Sequence, residues 1–318
     1  MKDFSGKLAI ITGAGTGMGR ELARQLAAEG CHLALCDVLM DNLEQTRVLC
    51  LADATSGARV TIHPCDVSDE EQMKSFRDAV KKEHATEVAH LLFNNAGIGG
   101  TASFINDSRE TWEKTFNVCW YGVYYGCRAF VPMLVEADEG YIVNTSSVNG
   151  FWASLGPHTS HTAYSASKFA VKGFTEALIN DLRLNAPHVK CAVVMPGHIG
   201  TSIVKNSSQI LTGRQPGDMN EEDLVGVRKR LERMNIPQEN MSDDQVREAV
   251  KMQADFFESA APMKPAEAAK IILDGVREER WRILVGKDAE ALDRKVREQP
   301  LEAYEPSFAE DIFGNQRD

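Results

Sequence analysis

The sequence of 318 residues lacks three features that would assign it to a simple class. It contains no CxxC pair, and its seven cysteines are an odd number, which favours reduced thiols and a cytoplasmic location over a disulfide framework. It lacks a basic excess: 46 acidic residues against 35 basic ones argue against nucleic-acid binding as its main role. It also lacks an apolar segment near its first residue, so we expect no signal peptide.

One apolar stretch, 116–135, approaches the length of a membrane span. It carries Asn117, Arg128 and Pro132, and it lies in the middle of the chain. We therefore interpret it as a long buried helix and predict no membrane span.

Short runs of aliphatic residues alternate with longer segments of helical period along most of the sequence. This alternation indicates βαβ units and a parallel sheet that is covered by helices on both faces. The predicted strands are 8–12, 32–37, 59–65, 90–94, 141–146, 190–195 and 282–285. The predicted helices are about 17–30, 41–54, 69–84, 108–135, 162–185 and 265–279. The fold class predicted from this pattern is a doubly wound α/β sheet in a single domain, residues 1–286.

The alternation is interrupted after the sixth predicted strand. Residues 202–262 are polar and helical in pattern without a strand, so we interpret them as an insertion at the carboxyl end of that strand, where open α/β sheets bind ligands. Residues 287–318 form a charged C-terminal extension, which we predict to be one helix followed by loosely held chain.

A glycine-rich turn connects the first predicted strand to the first helix. Glycines at 13, 17 and 19 allow the backbone to turn tightly and to approach a pyrophosphate at the helix N-terminus. A flexible loop is the alternative for a single motif of this kind. Asp37 ends the next strand and can accept hydrogen bonds from a ribose, which favours a dinucleotide site. Its carboxylate would repel a 2′-phosphate, so NAD is favoured over NADP.

A second group of chemically active residues lies later in the chain. Tyr164 and Lys168 are four residues apart, which places both on one face of a helix. A nearby ammonium can lower the pKa of a phenol and make it a usable proton acceptor. Such pairs are also common on solvated helices. The strand before them ends in Ser146 and Ser147, whose hydroxyls can hold a substrate oxygen.

Five motifs, in order, resemble those of the short-chain dehydrogenase/reductase family over about residues 5–286. Residues 12–19 resemble its TGxxxGxG, 94–97 its NNAG and 196–201 its PGxxxT. Tyr164 and Lys168 form its YxxxK, and Asp66 with Val67 resembles the pair that borders the adenine. The resemblance implies a Rossmann-type fold, hydride transfer to or from a nicotinamide cofactor, and a homodimer or homotetramer.

The resemblance also implies roles for individual residues. Tyr164 would be the general base or acid, Lys168 would lower its pKa, Ser147 would orient the substrate oxygen, and Asn117 would hold a water linked to Lys168. Cofactor contacts are expected, besides Tyr164 and Lys168, from Gly13, Thr16, Gly17, Met18, Gly19, Asp37, Val38, Asp66, Val67, Asn94, Ala96, Gly97, Pro196, Gly197, Ile199 and Thr201. Substrate contacts are expected from Ser147, Asn149, Trp152, Tyr164 and His198.

Two departures from the family pattern concern the substrate side. Tyr164 follows Ser147 by 17 positions, more than is usual in the family, so residues 155–161 could form a longer lip. The long spacing also leaves Ser146 as an alternative to Ser147. The insertion 202–262 is longer than the usual substrate loop, and we interpret it as a lid over a bulky, mostly apolar substrate. A surface or oligomer contact is the alternative.

The sequence thus predicts an NAD-dependent oxidoreductase that interconverts a secondary alcohol and a ketone. An NADPH-dependent carbonyl reductase and a dinucleotide-sensing scaffold protein without turnover are the alternatives. No metal site is predicted, because His158, His161 and His198 lack acidic or cysteine partners at ligand spacing.

Overall fold

The computed structural model describes residues 1–54, 57–100, 103–156, 159–233, 236–238, 240–308 and 312. Its centre is one seven-stranded sheet with the order β3-β2-β1-β4-β5-β6-β7, and every neighbouring pair of strands is parallel. The strands are β1 Leu8–Thr12, β2 His32–Asp37, β3 Val60–Pro64, β4 Leu91–Asn94, β5 Gly140–Thr145, β6 Val189–Pro196 and β7 Arg282–Val285. The predicted doubly wound α/β sheet is confirmed.

Helices cover both faces of the sheet. In chain order they are α1 Gly17–Ala28, α2 Met40–Asp53, α3 Glu70–His84, α4 Arg109–Phe116, α5 Gly122–Val135, α6 Thr162–Asn185, α7 Ile203–Thr212, α8 Glu221–Arg233, α9 Asp243–Ser259, α10 Pro265–Arg277 and α11 Lys287–Glu298. The strands β1, β4 and β5 are buried along their whole length, because apolar side chains on both faces pack against these helices. One buried cluster includes residues of α1 and α10, and a second includes residues of α3 and α5.

The long helix predicted for 108–135 is divided in the structure. A π-helical turn, Asn117–Tyr121, separates α4 from α5, and the N–H of Gly122 donates to the carbonyl of Asn117. Such a turn inserts one residue into the helical repeat and changes which side chains face the sheet. As a result, Val118 and Cys119 are buried.

The insertion after β6 contains α7, α8 and α9 in the part of the chain that is described. Helix α7 lies next to the carboxyl ends of the strands, and its Asn206 donates to the Thr16 hydroxyl at 2.8 Å. Helix α9 is joined to the start of α7 through Lys205, which forms ion pairs with Asp255 and Glu258. The insertion therefore packs against the edge of the sheet where the glycine-rich turn lies.

The chain after α11 is held more firmly than the sequence predicts. The indole of Trp152 donates to the Ala303 carbonyl, and Trp152, Leu292, Ala303 and Phe308 form a small buried cluster. The prediction of a loosely held chain after the last helix is therefore wrong for the residues up to 308.

Within the described ranges, no helix combines the length and apolarity that a membrane crossing requires. All seven cysteines are buried and free.

Candidate active site

The glycine-rich turn brings the N-terminus of α1 to the carboxyl end of β1. Gly13 and Gly17 adopt positive φ angles of 63° and 55°, which L-residues with a side chain adopt only with strain. A Cβ atom added to Gly19 would lie 2.1 Å from the Gly13 carbonyl oxygen. The turn therefore requires glycine at these positions, and it presents backbone amides at the start of a helix, where phosphate binds favourably.

Asp37 lies beside this turn at the end of β2. Its carboxylate accepts hydrogen bonds from the N–H groups of Gly15 at 2.8 Å and Leu39 at 2.9 Å. Burial raises the pKa of the Asp37 carboxyl, while these backbone N–H groups act in the opposite direction. A carboxylate held in this way next to a phosphate-binding turn fits the adenosine half of a dinucleotide.

A cleft runs along the carboxyl ends of the strands from Asp37 to the insertion. The predicted cofactor residues that line it are Gly13, Thr16, Gly17, Met18, Asp37, Val38, Asp66, Val67, Ala96, Gly97 and Thr201. Residues that also line it but were not predicted are Leu39, Cys65, Asn95, Ile98, Lys114, Val118, Ile203, Asn206 and Ile210. Most of the missed residues belong to α4 or α7, or lie within or next to one of the motifs. No local motif marks the residues on the two helices.

Besides Tyr164 and Lys168, five predicted cofactor residues lie outside the cleft lining: Gly19, Asn94, Pro196, Gly197 and Ile199. Asn94 is buried, and its amide donates to Asn144 Oδ1 at 2.8 Å, so it connects β4 to β5. Ile199 is also buried in the core. These residues support the walls of the cleft, and Asn95 lines it in place of Asn94.

Tyr164, Ser147 and Lys168 meet at the end of β5. The Ser147 hydroxyl hydrogen-bonds the Tyr164 phenol, and Lys168 Nζ lies 5.4 Å from the centre of the Tyr164 ring. Lys168 Nζ also donates to the Thr145 carbonyl at 2.9 Å. Ser146 is directed elsewhere, because its hydroxyl donates to the Lys168 carbonyl at 2.7 Å. The serine next to the tyrosine is therefore Ser147.

The proton affinities of this group are set mainly by burial. Burial raises the pKa of Tyr164 above its ordinary value, and Cys119 acts in the same direction, while the Ser147 hydrogen bond opposes them. Burial lowers the pKa of Lys168. The expected shift of the Tyr164 pKa towards neutrality is thus not found in the chain alone, because both groups are desolvated.

Asn117 is the predicted catalytic residue with the least support from its surroundings. It begins the π-helical turn, and no hydrogen bond of its side chain is found among the described residues. The group from this turn that lies near the pair is the thiol of Cys119, which affects the pKa of both Tyr164 and Lys168. Cys119 donates to the Ile98 carbonyl at 3.3 Å.

Three predicted substrate residues, Asn149, Trp152 and His198, have partners within the chain. The amide of Asn149 donates to the carbonyls of Trp152 and Ser154 and so stabilises the loop that follows it. Trp152 is only 3% exposed and is covered by the C-terminal segment. The ring of His198 packs on Phe257 of α9, and its Nε2 lies 2.8 Å from the Phe257 carbonyl. Sequence reasoning could not foresee these contacts, since each partner comes from a distant or irregular segment.

Comparison with known proteins accounts for this combination of a glycine-rich turn and a Tyr–Lys pair. A family model described as short chain dehydrogenase matches residues 7–211. The chain belongs to the short-chain dehydrogenase family. It is therefore an oxidoreductase, and its fold belongs to a family that binds a nicotinamide dinucleotide.

Relatives of this short-chain dehydrogenase match most of its length. The oxidoreductase SadH of Mycobacterium tuberculosis is 33% identical over 294 residues, which are 92% of this chain and 91% of SadH. A short-chain dehydrogenase/reductase from Burkholderia phymatum in complex with NAD is 30% identical, with a TM-score of 0.73 over 94% of this chain and 96% of that one. A metagenomic short-chain oxidoreductase in complex with NADP is 27% identical, with a TM-score of 0.54 over 66% and 92% of the two chains.

The insertion of this short-chain dehydrogenase contacts both walls of the cleft. Besides the bond from Asn206 to Thr16, Gly99 N donates to Ser207 Oγ at 2.8 Å, and Lys114 Nζ donates to the Ile210 carbonyl at 2.6 Å. Helix α7 therefore crosses from the glycine-rich turn to α4. Among the described residues, no cluster of three or more histidine, cysteine or acidic side chains could hold a metal ion.

Proposed function

We propose that this chain is an NAD-dependent dehydrogenase that interconverts a bulky, mostly apolar secondary alcohol and its ketone. The observation that carries the proposal is the contact of Ser147 with Tyr164, with Lys168 beside them, at the end of β5. The nicotinamide ring, when bound, accepts or returns the hydride. The residues of the chain hold the substrate oxygen and move its proton.

In alcohol oxidation the Tyr164 phenolate accepts the hydroxyl proton of the substrate, and in ketone reduction the phenol returns it. Ser147 donates to the substrate oxygen and keeps it next to Tyr164. Lys168 is anchored by the Thr145 carbonyl at 2.9 Å, so its positive charge stays close to the phenol and favours the phenolate. We propose that Asn117 holds a water molecule linked to Lys168.

The preference for NAD rests on the charge of the adenosine end of the cleft. Asp37 would face a 2′-phosphate with a negative charge. The nearby guanidinium of Arg20 is engaged by the Thr46 hydroxyl and the Gly15 carbonyl. Lys114, the basic residue among those found to line the cleft, donates to the Ile210 carbonyl on the far wall. An NADPH-dependent reductase would need a cation where Asp37 stands.

We further propose that 202–262 is a lid, because α7 both lines the cleft and bridges its walls. The seven buried thiols support a reducing, cytoplasmic location. Tyr121 and Tyr124 are exposed by 38% and 37%, and we propose that this face mediates assembly into a homodimer or homotetramer.

The test is NADH absorbance on mixing the protein and NAD⁺ with a panel of bulky secondary alcohols, alongside Tyr164→Phe. Because burial raises the pKa of Tyr164, the phenolate accumulates only in alkaline solution, so the oxidation rate is expected to rise with pH. Tyr164→Phe should lower kcat by about a thousandfold or more. Tyr141→Phe, at the start of β5, removes the hydroxyl that donates to the Arg280 carbonyl; it is the matched control and should leave kcat unchanged.

Full activity of Tyr164→Phe would contradict the proposed mechanism. If no alcohol or ketone is converted while NAD⁺ still raises the melting temperature, the scaffold alternative gains support, since a bound ligand stabilises the folded state in proportion to its affinity and concentration.

A further inference from the structure

His161 places an imidazole against the proposed catalytic tyrosine. Its ring centre lies 4.6 Å from that of Tyr164, with an angle of 35° between the planes. Its backbone carbonyl accepts from Ser165 N at 2.9 Å, so it also starts α6 and its position is set by the helix. The residue belongs to the extra segment between Ser147 and Tyr164.

One nitrogen of this ring is paired and the other is not. The ring hydrogen-bonds the Gly100 carbonyl, whereas Nδ1 is buried and has no hydrogen-bond partner among the described residues. A carbonyl can only accept, so the nitrogen that faces Gly100 carries the proton. Burial lowers the pKa of His161 to about 4, which keeps the ring neutral at neutral pH. Nδ1 is therefore an acceptor that lacks a donor.

Other histidines of the chain show that this arrangement is unusual here. Nδ1 of His32 accepts from Arg59 N at 3.0 Å, and Nδ1 of His90 accepts from Leu8 N at 3.1 Å. Among the histidines described, His161 alone has a buried ring nitrogen without a partner. Buried polar groups in proteins are normally paired, so this acceptor beside the proposed catalytic tyrosine calls for a donor that the described residues do not supply.

We propose that His161 Nδ1 accepts a hydrogen bond from a hydroxyl on the carbon next to the reacting carbinol, so that the substrate is a bulky vicinal diol or the corresponding α-hydroxy ketone. The two rings are in contact, so a ligand with one oxygen at Tyr164 lies close to the imidazole of His161. This inference rests on the proposed function, because it assumes that the substrate oxygen binds Tyr164 and Ser147.

Three probes of similar size test the inference: 1-indanol, indane-1,2-diol and 2-methoxy-1-indanol. The ether fills the space of the second hydroxyl but cannot donate. With the wild-type protein and NAD⁺, we expect kcat/KM for the diol to exceed that for the ether by about tenfold or more. In His161→Phe the ratio of diol to ether should fall to about one, and kcat/KM for 1-indanol, measured alongside, reports any general effect on the Tyr164 site.

Two further variants separate specificity from folding. His161→Asn keeps an acceptor near the position of Nδ1 and should restore part of the preference for the diol. His188→Phe, just before the amino end of β6, should keep the full preference for the diol over the ether. Melting temperatures of the variants show whether each one folds.

The outcomes distinguish this inference from the proposed function. If 1-indanol is oxidised but the wild type treats diol and ether alike, or if His161→Phe keeps the preference, the inference is wrong and the proposed function stands. If none of the probes is oxidised, the proposed function fails for this class of substrate. Calorimetric titration of the same probes into the NAD⁺ complex then tests the inference about His161 by itself. Tighter binding of the diol than of the ether, lost in His161→Phe, supports the inference, and equal binding of the two overturns it.

Discussion

The two ends of the cleft differ in whether the residues predicted from the sequence line the cleft or bond other parts of the chain. At the cofactor end, most residues expected from short motifs line the cleft, from the glycine-rich turn to Asp37 and Val67. At the substrate end, Asn149 and Trp152 are engaged by neighbouring or distant parts of the chain. The cofactor end is built mainly from short motifs at the ends of strands, whereas at the proposed substrate end Trp152 bonds Ala303, 151 positions away.

This difference indicates where substitutions should affect cofactor binding and where they should affect stability alone. In the proposed binding mode the backbone of the glycine-rich turn approaches the cofactor, so packing and binding would depend on the same atoms. On the proposed substrate side, Asn149 and Trp152 bond other parts of the chain, whereas Ser147 and Tyr164 are the side chains that we propose to bind the substrate. The following substitutions test this separation.

The largest effect is expected for Gly19→Ala. The added Cβ would lie 2.1 Å from the Gly13 carbonyl oxygen, so the turn must open. We expect the free energy of unfolding to fall by about 3 kcal/mol, and NAD⁺ should no longer raise the melting temperature. Chemical denaturation and thermal shift measure the two effects.

Gly226→Ala in α8 is the matched control, because an added Cβ there meets nothing within 4 Å. It should raise the free energy of unfolding by about 0.5–1 kcal/mol. A Gly19→Ala protein that still responds to NAD⁺ would show that binding and packing are separable in this turn.

The next largest effect is expected for the stability of the protein at acid pH, and it depends on His161. The pKa of His161 is lowered from its ordinary 6.5 to about 4, so the folded chain binds this proton less readily than the unfolded chain. The contribution of the neutral His161 ring to the free energy of unfolding is fully present above pH 6.5 and is lost as the pH falls towards 4. The free energy of unfolding of the wild type should therefore decrease over this range by up to about 3 kcal/mol more than that of His161→Phe.

Denaturation curves at pH 7 and pH 4 for both proteins measure this difference. The pKa of His84 is also lowered to about 4, but that residue is present in both proteins, so its effect cancels. Equal pH dependence of the two proteins would contradict the prediction.

A smaller effect is expected for Asp37→Asn at the cofactor end. Gly15 N and Leu39 N donate to different oxygens of Asp37, so the amide can keep only one of these two hydrogen bonds. It also loses the charge that attracts ribose hydroxyls and repels a 2′-phosphate. NAD⁺ affinity should fall about tenfold, which is about 1.4 kcal/mol, and NADP⁺ should bind better relative to NAD⁺. Titration of both dinucleotides measures this; Asp41→Asn, on exposed α2, is the control and should change neither affinity.

The smallest effect is expected for Trp152→Phe. The Ala303 carbonyl loses its donor, so the free energy of unfolding should fall by about 1 kcal/mol, while the response of the melting temperature to NAD⁺ stays the same. Trp281→Phe, with Trp281 47% exposed, is the control for loss of an indole. A raised KM for alcohols without a loss of stability would instead support the prediction that Trp152 contacts the substrate.

The sequence by itself determined the sheet, its strands and the glycine-rich turn. These features follow from local patterns: apolar runs mark buried strands, glycine is required where φ is positive, and Tyr164 and Lys168 share a helix face through their spacing alone. For the same reason, Asp37 could be placed beside the turn from its position at the end of β2.

The tertiary structure alone decided which serine faces Tyr164, that Cys119 lies near the Tyr–Lys pair, and that α7 crosses the cleft. It also decided that Trp152 belongs to the C-terminal cluster and that His161 keeps an unpaired nitrogen. Each of these outcomes depends on side chains that meet across long or irregular stretches of chain, where no residue spacing encodes the geometry. A π-helical turn, which the helical period does not reveal, rotates the α4–α5 residues that follow it.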